Sequence, residues 1–235
     1  MFSAGNATER HRVGSLDCRG EVVVDLFSGI GHFTLPYLVK AGAKFVHACD
    51  WNPDAIMALR RNLELNKVQD RCKIYEGDCR KVCPDGVANR VNLGLIPSSE
   101  CGWEPACRAL VPSTGGILYI HQNVISGFLH LFGAGNNEHD KYKYAITSLL
   151  RGYPPVEVTN CTGVNSASCV SDAETIVWKH LEWFQFGLHI THSIAGIMEK
   201  IRGGMWAARI TQVHRVKSYA PRVDHLVYTL QCYQK

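Results

Sequence analysis

Asp25, Asp50 and Asp78 each close a short apolar run, EVVVDLF, KFVHACD and CKIYEGD. Buried parallel strands have this composition, and open α/β sheets bind ligands just beyond the carboxyl ends of their strands. Asp25 leads into Leu-Phe-Ser-Gly29-Ile-Gly31. Glycines in such a turn let backbone come close to a ligand, and the helix that follows offers unpaired N–H groups. Asp50 stands at the spacing where these folds place a carboxylate on ribose hydroxyls. Asp78, one strand further on, can accept from an adenine amino group. Together the three acids point to an adenosine cofactor.

The turn reads GIGHF, with Phe33 where a dinucleotide fold needs its last glycine. No feature is placed to receive a diphosphate, so S-adenosyl-L-methionine fits better than a nicotinamide dinucleotide. A second chemical stretch, Asn92-Leu-Gly-Leu-Ile-Pro-Ser-Ser99, ends the fourth apolar run. Enzymes that methylate base nitrogens often carry Asn-Pro-Pro-Tyr there. Asn92 can orient cofactor or base, and Gly94 and Leu95 leave room for a bulky group. Ser98 and Ser99 either contact the substrate or cap the next helix. His32, His47 and His121 are ambiguous, and none of the histidines has a catalytic role from sequence alone.

Elements of a particular kind must hold these residues. EVVVDLF, KFVHACD, CKIYEGD, RVNLGLI and GGILYIHQN alternate with helical segments, as in a doubly wound parallel sheet. NPDAIMALRRNLELN is a well-marked helix, with Asn52 as its cap, Pro53 at the first position and Ile56, Leu59 and Leu63 on one face. A helix is expected near 189–202, with Ile190, Ile194, Ile197, Met198 and Ile201 as its apolar face. WAARITQVHRV and DHLVYTLQCY then form a hairpin joined at KSYAPR. The fold class is therefore α/β, a Rossmann-like, mostly parallel sheet closed by a C-terminal antiparallel hairpin. Three regions follow: a cofactor-binding core with an N-terminal arm (1–124), an insertion without clear periodicity (125–188), and a helix and hairpin completing the core (189–235).

Bulk properties narrow the class. The chain has 235 residues, 46% of them hydrophobic, and a formal charge of +4. Strongly nucleic-acid-binding domains are usually more basic, so charge permits a polyanionic partner without requiring one. The ten cysteines include no CxxC pair, which argues against a zinc ribbon, and no metal site is expected. The pattern of reduced thiols and the lack of a signal peptide point to the cytoplasm. Lys179, His180, Glu182, His189 and His192 interrupt the longest apolar stretch, IVWKHLEWFQFGLHITHSIAGIM, which argues against a membrane span and for an amphipathic packed helix.

MFSAGNATERHRVG, DLFSGIGHFTLPYLVKAGAKFVHACDWNPDAI, NRVNLGLIPSSE, GGILYIHQNV and VKSYAPRVDHLVYTLQC closely resemble the tRNA wybutosine-synthesising protein 2 family. This is a branch of the class I methyltransferase superfamily. The resemblance covers 1–124 nearly continuously and returns at about 205–235. It implies transfer of the 3-amino-3-carboxypropyl group of S-adenosyl-L-methionine to C7 of the tricyclic base at position 37 of phenylalanine tRNA, in its anticodon loop. It further implies that Ser3 and Arg10, in the segment folding over the cofactor, contact it, Arg10 standing where a lysine is usual. Asp50 replaces a glutamate at the ribose position, Asp78 matches directly, and Cys79 falls at the adenine edge. Gly29, Gly31 and Asp25 belong to the same cofactor set, and Asn92 is the candidate catalytic residue. Family members carry a substantial portion ahead of the cofactor domain that helps hold tRNA, whereas this chain starts almost at that domain. Two other functions are compatible with the fold, a tRNA guanine N1-methyltransferase and a non-catalytic cofactor- or tRNA-binding module. Arg209, Arg215, Lys217 and Arg222 are candidates to face phosphate, and Tyr219 to stack on a base.

Overall fold

The computed structural model describes residues 6–125, 157–159 and 181–235. Helix α1 (Ala7–Gly14) precedes strand β1 (Val22–Asp25). Then follow α2 (Thr34–Val39), β2 (Phe45–Asp50), α3 (Pro53–Leu65), β3 (Cys72–Glu76), α4 (Cys79–Val82), β4 (Arg90–Leu93), α5 (Trp103–Ala109) and β5 (Gly116–Ile125). A short strand β6 (Glu157–Thr159), the long helix α6 (Leu181–Arg202) and strands β7 (Trp206–Ala220) and β8 (Val223–Gln234) complete the described chain.

The eight described strands form one sheet in the order β3-β2-β1-β4-β5-β8-β7-β6. β1 to β5 are mutually parallel, β8 runs antiparallel to both β5 and β7, and β6 lies parallel to β7. From β1 the chain winds outward through β2 and β3, then crosses back to β4 on the other side. The crevice between the carboxyl ends of β1 and β4 is therefore the switch point, where open α/β sheets receive ligands. Asp25 and Asn92 are direct register partners across it.

Local signals explain the elements. Asn52 caps α3, its side chain accepting from the N–H groups of Asp54 and Ala55, and Pro53 starts the helix. Ile56, Leu59 and Leu63 are the buried face of α3. One apolar layer joins Val23, Val46, Tyr37, Leu59 and Val13 beneath α1, α2 and α3. On the opposite sheet face Val91, Leu93, Trp103, Ile190, Ile194 and Met198 pack together with α5 and α6. Burying each such large side chain contributes roughly 1.5–3 kcal/mol.

Two boundaries differ from the sequence reading. The final helix begins at Leu181, ahead of 189, so part of the 125–188 segment is this helix, and another part is strand β6. Glu182, Gln185 and Gly187 obscured the helical period there by falling among the apolar residues. The hairpin strands also run further than expected, so the connection shortens to Pro221 and Arg222, the latter at φ 62°. The rest of 125–188 lies outside the described residues. Among the described residues no helix is long and apolar enough to cross a membrane.

Candidate functional site

Asp25, at the end of β1, has no exposed surface. Its Oδ2 accepts from the Thr34 hydroxyl at 2.7 Å and its Oδ1 from the Asn92 amide at 3.0 Å. Burial raises its pKa to about 6 against the opposing pull of those hydrogen bonds. Asn92 is equally buried, and since its Nδ2 is committed to Asp25, the side chain presents Oδ1, which has no hydrogen-bond partner among the described residues. A buried unpaired acceptor at a switch point is the kind of group a ligand satisfies. Asp25 thus acts on the site through Asn92 and Thr34, having no surface of its own to offer.

The glycine turn sits beside this pair. Gly29 and Gly31 have φ of 53° and 97°, the left-handed region that favours glycine. A Cβ on Gly31 would come within 2.8 Å of Leu59 Cδ1, whereas one on Gly29 would meet nothing within 4 Å among the described residues. Gly31 is therefore required by packing, and Gly29 leaves an open cradle. Asp50 forms the next wall. Its Oδ2 accepts from Gly29 N at 2.7 Å and its Oδ1 from Asn52 N at 2.9 Å. One carboxylate so ties the turn to the head of α3 while retaining lone pairs for ribose hydroxyls.

Asp78 caps α4, accepting from Arg80 N, and pairs with the Arg80 guanidinium at 2.5 Å. That partner holds its carboxyl down to about 2, so it is an acceptor at any physiological pH. Cys79 is buried at the first turn of α4, and burial pushes its thiol up to about 11. It can therefore supply backbone and shape to an adenine edge but not thiolate chemistry. The open cradle at Gly29, the partner-free Asn92 Oδ1 and the adjacent acids suit an adenosine-bearing cation such as S-adenosyl-L-methionine. Arg10 adds a buried Nε with no hydrogen-bond partner among the described residues. Ser3 lies outside the described residues.

The loop after β4 departs from its expected use. A Cβ on Gly94 would lie 2.9 Å from Phe33 Cε2 and 3.1 Å from Asn92 Nδ2. That space is already filled by the aromatic ring and the amide, so Gly94 brings the loop close to the cofactor turn and does not leave a void for a moving group. Ser99 is fully buried and donates to the His121 carbonyl at 3.0 Å. Asn123 N donates to Pro97 O at 2.8 Å, which fastens the loop to β5. Ser98 accepts from Glu100 N, a cap for the next turn.

Residues 1–125 match the family model described as the TRM5/TYW2 methyltransferase domain. The chain belongs to this family. Over 99% of its length it is 49% identical to the tRNA wybutosine-synthesizing protein 2 homolog of Mus musculus, of which it covers 50%. The chain spans about half the length of the curated relatives it matches. Among solved structures, M. jannaschii TYW2 in complex with AdoMet is similar over the whole chain and 78% of its own length, with a TM-score of 0.63 at 22% identity. Trm5b from Pyrococcus abyssi gives a TM-score of 0.62 at 23% identity, covering 99% of this chain and 50% of that one. These likenesses show a shared fold.

Several surface candidates divide once the TRM5/TYW2 fold is in view. Arg215 is paired with Asp224 at 2.8 Å and Arg209 donates to Gln231, so the hairpin itself engages both. Lys217 lies over the ring of Tyr219 near the tip, where Tyr219 is exposed. His47 bonds the Tyr75 hydroxyl, a packing role. His121 is buried, against the Phe33 ring and 3.0 Å from His225. Three residues were missed in the sequence. Thr34 has no signal before the fold brings it to Asp25. Trp51 does have one, an aromatic directly after the ribose-position acid, and it is 76% exposed. Glu9, in the TER segment, is fully buried. Among the described residues no group of three or more His, Cys, Asp or Glu could hold a metal ion.

Proposed function

We propose that this chain supplies the cofactor domain of an S-adenosyl-L-methionine-dependent tRNA aminocarboxypropyltransferase of wybutosine biosynthesis. The acceptor is C7 of the tricyclic wyosine-precursor base at position 37 of phenylalanine tRNA, in the anticodon loop, and the setting is the cytoplasm. The observation that carries the reading is the 49% identity, along 99% of the chain, with a relative named for wybutosine synthesis.

The cofactor's sulfonium activates three carbons, the methyl, the γ-carbon of the amino-acid arm and ribose C5′, of which the methyl is least hindered. Favouring the arm a thousandfold requires about 4 kcal/mol of differential stabilisation, which positioning alone can supply. In this chain Asp50 and Asp78 are the acceptors for ribose and adenine, with Cys79 at the adenine edge. Gly29 and Gly31 admit the backbone approach, and Ser3 and Arg10 reach the cofactor from the N-terminal arm. Asn92, oriented by Asp25, holds its Oδ1 toward a donor of cofactor or base. The loop fastened to β5 by Ser99 and Pro97 gives the acceptor base a fixed wall.

The test uses cofactor labelled separately in the methyl and carboxyl carbons, with tRNA carrying the precursor base. Carboxyl label in tRNA with release of methylthioadenosine is the expected result. Methyl label with S-adenosylhomocysteine would instead make the chain part of a tRNA guanine N1-methyltransferase. Cofactor binding with no label in tRNA would support a non-catalytic binding module.

A further inference from the structure

The first turn of α1 carries a buried acid with no task in the proposed reaction. Both oxygens of the buried Glu9 accept from Arg12, at 2.8 Å from Nε and 2.6 Å from Nη2. His121 Nε2 on β5 stands 3.8 Å from one oxygen, and His214 Nε2 on β7 stands 3.7 Å from the other. Burial depresses both histidines, His214 to about 4, so neutral imidazoles face the carboxylate. Arg12 also lies over the Tyr119 ring at 5.2 Å. A buried ion pair is weak evidence for stability, because apolar side chains of equal volume often do as well, and its best-attested use is to fix register. α1 has eight residues, too few to hold a helix without tertiary support. Its far end is pinned by the buried Val13 and by Gly14, where a Cβ would fall 2.9 Å from Lys40 Cδ. The direction of its first turn is left to Glu9.

Arg10 follows Glu9 directly, and its buried Nε has no partner among the described residues. A guanidinium with an unused buried donor is matched to a planar anion. S-adenosyl-L-methionine has one such group, the carboxylate of its amino-acid arm, since the adenosine is neutral and the sulfonium positive. We infer that Glu9 is a positioning residue, setting α1 so that Arg10 grips the carboxylate of the migrating arm. This rests on the proposed cofactor and on Arg10 contacting it. The grip falls on the arm and not on the adenosine, so it bears on which carbon faces the acceptor.

Calorimetric titration of the full chain with three ligands tests the inference. They are S-adenosyl-L-methionine, its decarboxylated form and methylthioadenosine, which lacks the arm. Wild type should prefer the first over the second by about ten- to a hundredfold, the worth of a charge-assisted hydrogen bond. Arg10→Ala should bring that ratio close to unity. Glu9→Gln should bring it at least halfway there on a logarithmic scale, leaving methylthioadenosine affinity unchanged, and Arg12→Lys, which keeps the charge, should retain more of the preference than Glu9→Gln. If Glu9→Gln does not fold, as judged by its melting curve, Arg12→Gln, which breaks the same pair from the other side, carries the test with the same expected fall. A wild-type ratio in Glu9→Gln, or in Arg12→Gln where that stands in for it, with Arg10→Ala still lowering it, overturns the role of Glu9. A wild-type ratio in Arg10→Ala overturns the grip of Arg10 on the carboxylate, and no binding of any ligand overturns the cofactor reading beneath it.

Discussion

The two glycines of the cofactor turn separate what a fold needs from what a ligand needs. Gly31 carries its φ of 97° against Leu59, so a methyl group there has nowhere to go. Gly31→Ala is expected to cost about 1–3 kcal/mol of folding stability through overpacking and backbone strain. Gly29→Ala meets no neighbour and should cost only about 1 kcal/mol, for its left-handed backbone. Its effect should fall on cofactor affinity, by tenfold or more on the order-of-magnitude scale of a lost close contact. Urea denaturation and cofactor titration of the two variants check the contrast, which disappears if both lose affinity only in proportion to stability. The sequence showed two glycines of equal weight, because whether a Cβ meets Leu59 or open space depends on α3 packing across the turn.

Among the elements, the parallel strands, α3 and the closing hairpin were legible because each has one dominant local signal. These are a continuous apolar run, a cap with proline behind it, and alternation broken by a turn. The start of α6 was less sharply legible, since Glu182, Gln185 and Gly187 interrupt the apolar residues of its first two turns. The cluster of His121, His214, His225 and Glu9 was equally hidden, its members coming from β5, β7, β8 and α1. The hairpin strands contribute a measurable pH dependence. Burial, with Lys217 and His214 nearby, lowers His225 to about 4, whereas the unfolded chain titrates near the ordinary value of about 6.5. Protons therefore favour the unfolded chain in that window, and the stability present above about pH 6.5 is lost as pH falls toward 4. Buried Glu9 and Asp25 are shifted upward and oppose this, so the comparison must be between variants. The stability of wild type relative to His225→Gln should fall by about 3 kcal/mol between pH 7 and 4. Equilibrium unfolding at both pH values measures it, and a difference independent of pH would refute the assignment.

At the scale of the whole molecule, every residue assigned to the cofactor lies before β5, yet the site is held together from the other end of the sheet. β8 covers the edge of β5 along its full length, and His214 on β7 faces the acid that seats α1. A chain shortened to end before Trp206 keeps all the cofactor residues and loses both supports. It is expected to aggregate through the bared β5 edge and to bind no S-adenosyl-L-methionine. A soluble fragment with wild-type affinity would show that the first half stands alone. The placement of β8 between β5 and β7 also sets an order of events on the ribosome. The glycine turn, the acids and α1 are all made ahead of β7 and β8, when Glu9 lacks His214 and β5 lacks its partner strand. Within this segment the cofactor residues are all present in the nascent chain before the strand that closes the sheet beside β5 has been made.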